Sequence, residues 1–208
     1  MLEVATNNFE GLDLGCGTGA SSKVISKYTK EVTAVDFLQE FVEKLNEEKI
    51  SNIKAIQGNM DDLSSLNKKF DLVWCEGAIY NIGFKYGLDV FRNYLKDDGY
   101  MVISEIVWLK DTPSTEAVEF WNSNYPKIDT IAGKKDVIEK SGYKLIDYFV
   151  LPEQAWNNYY TPLLESAKKL EEKYGDEVKE LVEETRHESE IYERNKTEYS
   201  YAFFIMKK

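Results

Sequence analysis

The chain has 208 residues, 26 basic and 37 acidic, for a formal net charge of -11. Hydrophobic residues make up 43% and charged residues 30%, a globular balance that excludes disorder for most of the chain, and the length suffices for one domain that buries roughly 70% of its unfolded surface. An acidic chain with no long basic run argues against phosphate-backbone binding, so no nucleic-acid partner is expected.

Apolar, β-rich runs predict strands over Phe9–Leu14, Glu31–Asp36, Ile53–Gln57, Phe70–Cys75 and Tyr100–Val107. Between them, Leu38, Phe41, Val42 and Leu45 recur at helical spacing, as do Val90, Phe91, Tyr94 and Leu95 before an Asp97-Asp98-Gly99 turn. Strands alternating with helices imply strand-helix-strand units and a parallel sheet. Beyond Trp108, Thr112-Pro113 opens a helix through Trp121, and a second helix ends near Ser141-Gly142. Tyr143–Leu151 reads as a strand. A long detour follows, in which Thr161-Pro162 form the N-cap and first turn of a helix with Leu163, Leu164, Ala167, Leu170 and Tyr174 on one face. Gly175 breaks that helix, and Asp176 caps another that carries Val178, Leu181, Val182 and Tyr192. The final strand is Glu198–Met206.

Two cysteines, Cys16 and Cys75, and one histidine, His187, exclude a disulfide framework and a His/Cys zinc site, so no metal is expected. No apolar run approaches the roughly 18 residues of a spanning helix, and the first ten residues lack a signal pattern. A cytoplasmic protein without a membrane partner is the expectation.

The most informative segment is Gly11-Leu-Asp-Leu-Gly-Cys-Gly-Thr-Gly-Ala20, where the first strand runs into the first helix. One glycine suits any such turn; glycines at 15, 17 and 19 point to a loop that a ligand approaches closely. Asp36 ends the second strand at the edge that borders the ligand crevice in an open α/β sheet. Its carboxylate can cap the next helix and accept both ribose hydroxyls of an adenosine, each bond contributing about 1.5–3 kcal/mol. Gly15-x-Gly17-x-x-Ala20 satisfies the dinucleotide fingerprint, so an NAD-dependent oxidoreductase stays open. Asp13, however, puts a carboxylate beside the place of a diphosphate; it suits instead the ammonium and sulfonium of S-adenosylmethionine.

These residues also carry a resemblance. Asp13 to Gly19 followed by Asp36, Gly58-Asn-Met-Asp-Asp62, Phe70 to Gly77, and Tyr94 to Tyr100 resemble the successive motifs of class I S-adenosylmethionine-dependent methyltransferases. Glu76 to Phe84, Phe120-Trp121 with Tyr125-Pro126, and Leu151-Pro-Glu with Trp156 and Tyr159-Tyr160 are similar to a bacterial small-molecule subgroup loosely of the ubiquinone/menaquinone-biosynthesis type. The resemblance implies one α/β domain over residues 1–208. Its sheet would be Rossmann-like, seven-stranded and mostly parallel, with an antiparallel last strand and helices on both faces. Residues 9–107 would bind the cofactor, and 108–131 and 152–196 would form helical cap elements, the second inserted before the last strand. Asp13, Gly15, Cys16, Gly17 and Gly19 would line the methionine part of S-adenosylmethionine, Asp36 the ribose and Phe37 the adenine face. Asn59, Met60 and Asp61 would hold the adenine edge, and Glu76-Gly77 would pass beneath the methionine chain. Relatives carry a helical segment before the first motif, so the chain is expected to be shortened at its N-terminus, which keeps a non-catalytic S-adenosylmethionine-binding module open as a rival.

Methyl transfer from a sulfonium is an in-line displacement, for which positioning supplies roughly 7–11 kcal/mol, so no nucleophile is compulsory. The candidate catalytic residues are Glu76 and Glu105, with His187 third. Glu105 interrupts an apolar strand and needs a partner or an aqueous pocket, and both roles stand equal. His187 sits in a charged helix and reads as solvated. Tyr80, Trp108, Trp156, Tyr159 and Tyr160 are the candidate acceptor contacts, implying a small apolar or aromatic methyl acceptor. A homodimer stays open.

Overall fold

The computed structural model describes residues 7–208. The expectation of a missing helical segment ahead of the first strand falls on residues 1–6 and lies outside the described ones.

In chain order the elements are β1 (Glu10–Leu14), α1 (Ala20–Ile25), β2 (Glu31–Asp36), α2 (Gln39–Glu47), β3 (Ile53–Gln57), β4 (Phe70–Cys75), α3 (Phe84–Arg92), β5 (Leu95–Trp108), α4 (Thr115–Asn124), β6 (Asp129–Thr130), α5 (Ile131–Lys140), β7 (Lys144–Val150), α6 (Glu153–Tyr174), α7 (Lys179–Asn195) and β8 (Tyr199–Lys207). The sheet runs β3-β2-β1-β4-β5-β8-β7, with the two-residue β6 paired to β5 as an eighth strand off this path. Pairs from β3 through β5 are parallel, as the alternation of strand and helix dictates. The C-terminal strands are antiparallel. Lys208 N–H donates to Gly99 O while Leu109 N–H donates to Glu198 O, so one strand descends as the other climbs.

Two compact units divide the chain. Among the described residues, the first comprises those up to 105, 132–149 and 203–208, and the second 106–131 and 150–202. In the first, Cys16, Ala34, Val42, Leu45 and Ala55 form a buried cluster that seats α2 on the early strands. In the same unit, Trp74 tilts against Phe203, which stacks on Phe149 with centroids 5.0 Å apart.

The second unit is held by aromatic packing. Trp156 lies 4.4 Å from Tyr192 and 5.8 Å from Tyr160, centroid to centroid, and donates its indole N–H to Ser200 Oγ at 2.9 Å. Ser114 caps α4 by accepting the Ala117 N–H at 3.2 Å. Glu116 ties α4 to α7 through Arg194 and Asn195.

Two sequence expectations are corrected here. Helix α6 starts at Glu153, so Pro162 is interior rather than in a first turn. An interior proline costs about 3 kcal/mol through its missing N–H and ring clash. Burial of Trp156 and Tyr160 on the upstream face offsets that cost, at about 1.5–3 kcal/mol per large apolar side chain. Asp176 caps no helix; it lies in a short 3-10 turn, Gly175–Val178, and α7 begins after it without a side-chain cap. Among the described residues, no helix is long and apolar enough to cross a membrane.

Candidate functional site

The carboxyl ends of β1, β2 and β4 converge in the first unit. After β1 the chain turns back on β2, and Gly15 N–H (2.8 Å) and Cys16 N–H (3.1 Å) both donate to Val35 O. Gly17 N–H donates to Asp36 Oδ2 at 2.8 Å, and Leu38 N–H to Asp36 Oδ1 at 2.9 Å. Asp36 thus fastens the glycine turn and caps the entry to α2 together. Gly15 is packed so closely that a Cβ there would strike Ala78 and lie 3.3 Å from Met60 Cε. This brings Met60 and the segment after β4 onto the turn. Gly17 (φ 53°) and Gly77 (φ 60°) are the opposite case: both are left-handed, and no atom lies within 4 Å of where a Cβ would stand. Their backbones face open space.

Three carboxylates surround this turn. Asp13 is buried at 1% exposure and accepts a hydrogen bond from Ser22 Oγ. Burial pushes its pKa up from 3.8 to about 7, the charges of Glu76 and Asp36 add to the rise, and the Ser22 bond opposes it. The Cys16 thiol is pushed up to about 12, first by burial and then by Asp13 and Asp36, which makes it inert at neutral pH. Glu76 is exposed; its Oε2 accepts from Ser21 Oγ at 2.6 Å and from the Trp74 indole at 3.2 Å. Gly77 N–H donates to the buried Ser104 Oγ at 2.7 Å. Beside Glu76, Val24 of α1 and Tyr28 just beyond it face Leu72 and Trp74 across a largely apolar groove of about 450 Å³.

The remaining candidates are placed as follows. Phe37, next to Asp36, is 69% exposed, and Gln57 Nε2 donates to its carbonyl. Gly58 N–H donates to Asp36 O at 2.9 Å, which brings the Asn59–Asp62 bridge alongside. Asn59 and Asp61 are exposed. Tyr80, 41% exposed, lies on the single turn Ile79–Asn81 that follows Gly77 and Ala78. Glu105 is fully buried and paired with Lys134 at 2.8 Å. In the second unit, Trp156 and Tyr160 are buried in the aromatic cluster, Trp108 packs against it, and Tyr159 is 53% exposed. His187 is exposed on α7.

Sequence reasoning missed Ser21, Ser22 and Ser104. The first two read as ordinary residues of a helix start. Ser104 did leave a signal, a second polar residue in the same apolar run as Glu105.

An open, mostly parallel sheet with a glycine turn and acidic groups at its carboxyl edge places the protein among the Rossmann-like α/β folds. A family described as a methyltransferase domain matches residues 5–186, and the chain belongs to it. That membership withdraws the oxidoreductase alternative. Solved structures agree on the fold. The methyltransferase of Thiobacillus denitrificans in complex with S-adenosyl-L-homocysteine superposes with a TM-score of 0.80 at 21% identity, over 97% of this chain and 85% of that one. The corresponding complex from Geobacter sulfurreducens gives 0.81 at 18% identity, over 97% and 85%. YjhP of E. coli gives 0.80 at 20% identity, over 99% and 87%. A search of curated proteins finds no match.

Proposed function

We propose that the chain transfers a methyl group from S-adenosylmethionine to a small molecule. The observation that supports this most is the gathering of Asp13, Asp36 and Glu76 around a glycine turn, an electrostatic setting that favours a cationic nucleoside and disfavours a diphosphate.

The residues fit that group. Asp36 spends one acceptor site per oxygen on backbone N–H groups, and a carboxylate has about four in all, so two remain for the ribose hydroxyls. Phe37 offers an exposed ring for the adenine, with Asn59 and Asp61 at its edge. The open space beside Gly17 and Gly77 is where the methionine portion would lie against bare backbone. When bound, S-adenosylmethionine supplies a methyl group made electrophilic by its sulfonium. Ionised Asp13 and Glu76 hold positive charge at that end of the site. Because Glu105 is paired with Lys134, a general base, where the acceptor needs one, falls to Glu76. Tyr80, half-exposed just past Gly77, is the first-unit residue best placed to meet an apolar or aromatic acceptor.

Calorimetry with S-adenosylmethionine, S-adenosylhomocysteine and NAD tests the cofactor, and uptake of NAD alone would overturn it. Incubation with methyl-labelled donor and a cell extract tests the acceptor. Label is expected in the soluble small-molecule fraction, and label confined to precipitated macromolecules refutes the small-molecule reading.

A further inference from the structure

We propose that Ser104 is a positioning residue for the amino-acid end of the methyl donor, acting through the turn at Gly77. The proposal rests on the donor reading above and deepens it.

Successive residues of a strand face opposite sides, so Ser104 and Glu105 at the carboxyl end of β5 serve different neighbours. Glu105 turns to Lys134 of α5. Ser104, 2% exposed, turns to the segment after β4 and accepts the Gly77 N–H at 2.7 Å. This bond fixes the Glu76–Gly77 peptide plane. The described chain contains no cis peptide, so the Glu76 carbonyl must point opposite to that N–H, away from β5. In the sheet order β4 lies between β5 and β1, so the carbonyl is directed to the side of β1, where the glycine turn begins. Nothing lies within 4 Å of where a Gly77 Cβ would stand, and the carbonyl so directed is a fixed acceptor for an ammonium group entering there. A buried hydroxyl thereby aims a backbone carbonyl one strand away. Without it, the Gly77 peptide is free to rotate in its left-handed turn, and the acceptor loses its direction.

The test compares two probes that share the adenosine and the sulfur, of which only one carries the amino acid: S-adenosylhomocysteine and 5′-methylthioadenosine. Calorimetry on Ser104→Ala should show S-adenosylhomocysteine weakened about tenfold, the worth of one buried hydrogen bond, with 5′-methylthioadenosine unchanged. Ser104→Thr, which keeps the hydroxyl, should restore the wild-type ratio. If the alanine variant does not fold, Ser104→Cys fills the same space with a weak acceptor and should show the same selective loss. Equal weakening of both probes, or no weakening of either, overturns the positioning role while leaving the donor reading intact. A wild-type chain that binds neither probe overturns both.

Discussion

Lys134 places its Nζ 2.8 Å from Oε1 of Glu105, and the two side chains are only 4% and 0% exposed. The Lys134 ammonium also lies 4.9 Å from the centre of the Phe84 ring. This is a desolvated pair between β5 and α5, and removing one partner strands a charge in the core, at a cost of about 3–5 kcal/mol. Lys134→Met and Glu105→Leu should therefore each lower the melting temperature by roughly 6–20 °C. The double variant should recover most of the loss. If Glu105→Leu melts like the wild type, the pair does not hold α5 on the sheet.

Asp13 makes the protein sensitive to pH in a direction that can be worked out. Its folded pKa of about 7 lies above the ordinary 3.8, so the folded chain holds a proton that the unfolded chain releases. The resulting stability is complete below about 3.8 and is lost as the pH rises through about 7. A cationic ligand acts the other way, because it favours the ionised carboxylate. S-adenosylmethionine should bind more tightly at pH 8 than at pH 6, releasing a proton at the lower value. Calorimetry in two buffers of different ionisation enthalpy measures that release. Asp13→Asn should abolish the pH dependence, and an unchanged dependence would assign it to another group.

Gly17 and Gly77 should be sensitive for steric reasons distinct from strain. An alanine at either pays about 1–2 kcal/mol for the left-handed backbone and projects its methyl into the open space. Gly175 has a similar positive φ, 56°, and equally empty surroundings, but lies at the end of α6 in the second unit. All three alanine variants should melt at lower temperature, and only those at 17 and 77 should lose S-adenosylhomocysteine binding. A comparable loss at Gly175 would show that strain, not occupancy, controls the affinity.

The parts of the fold legible in the sequence are those set by burial on both faces. β2 and β4 coincide with their predicted bounds because mostly apolar runs end at polar turns, and the edge strand β3 coincides as well although Lys54 and Gln57 are exposed. β5 is longer than the predicted Tyr100–Val107, since it continues from Leu95 through Asp97-Asp98-Gly99 by a register shift against β4, and an irregular strand leaves no periodic trace. At the site, the glycine spacing and the flanking carboxylates were legible because each lies at or directly after the carboxyl end of its strand. The serines were not. Ser104 meets Gly77 across 27 residues, a relationship that depends on strand order and has no local signature.

Helix α6 gives the same lesson a direct test. A Thr-Pro pair locally favours a helix start, and at a first turn Pro162→Ala would be neutral or slightly destabilising. Nine residues into a continuous helix, the same substitution restores an N–H facing the Asn158 carbonyl and removes the ring clash. Pro162→Ala should then raise stability by about 1–3 kcal/mol, measured by urea unfolding. A destabilised variant would mean that the helix begins at Thr161 after all, and that Trp156 and Tyr160 reach their aromatic cluster from a differently folded segment.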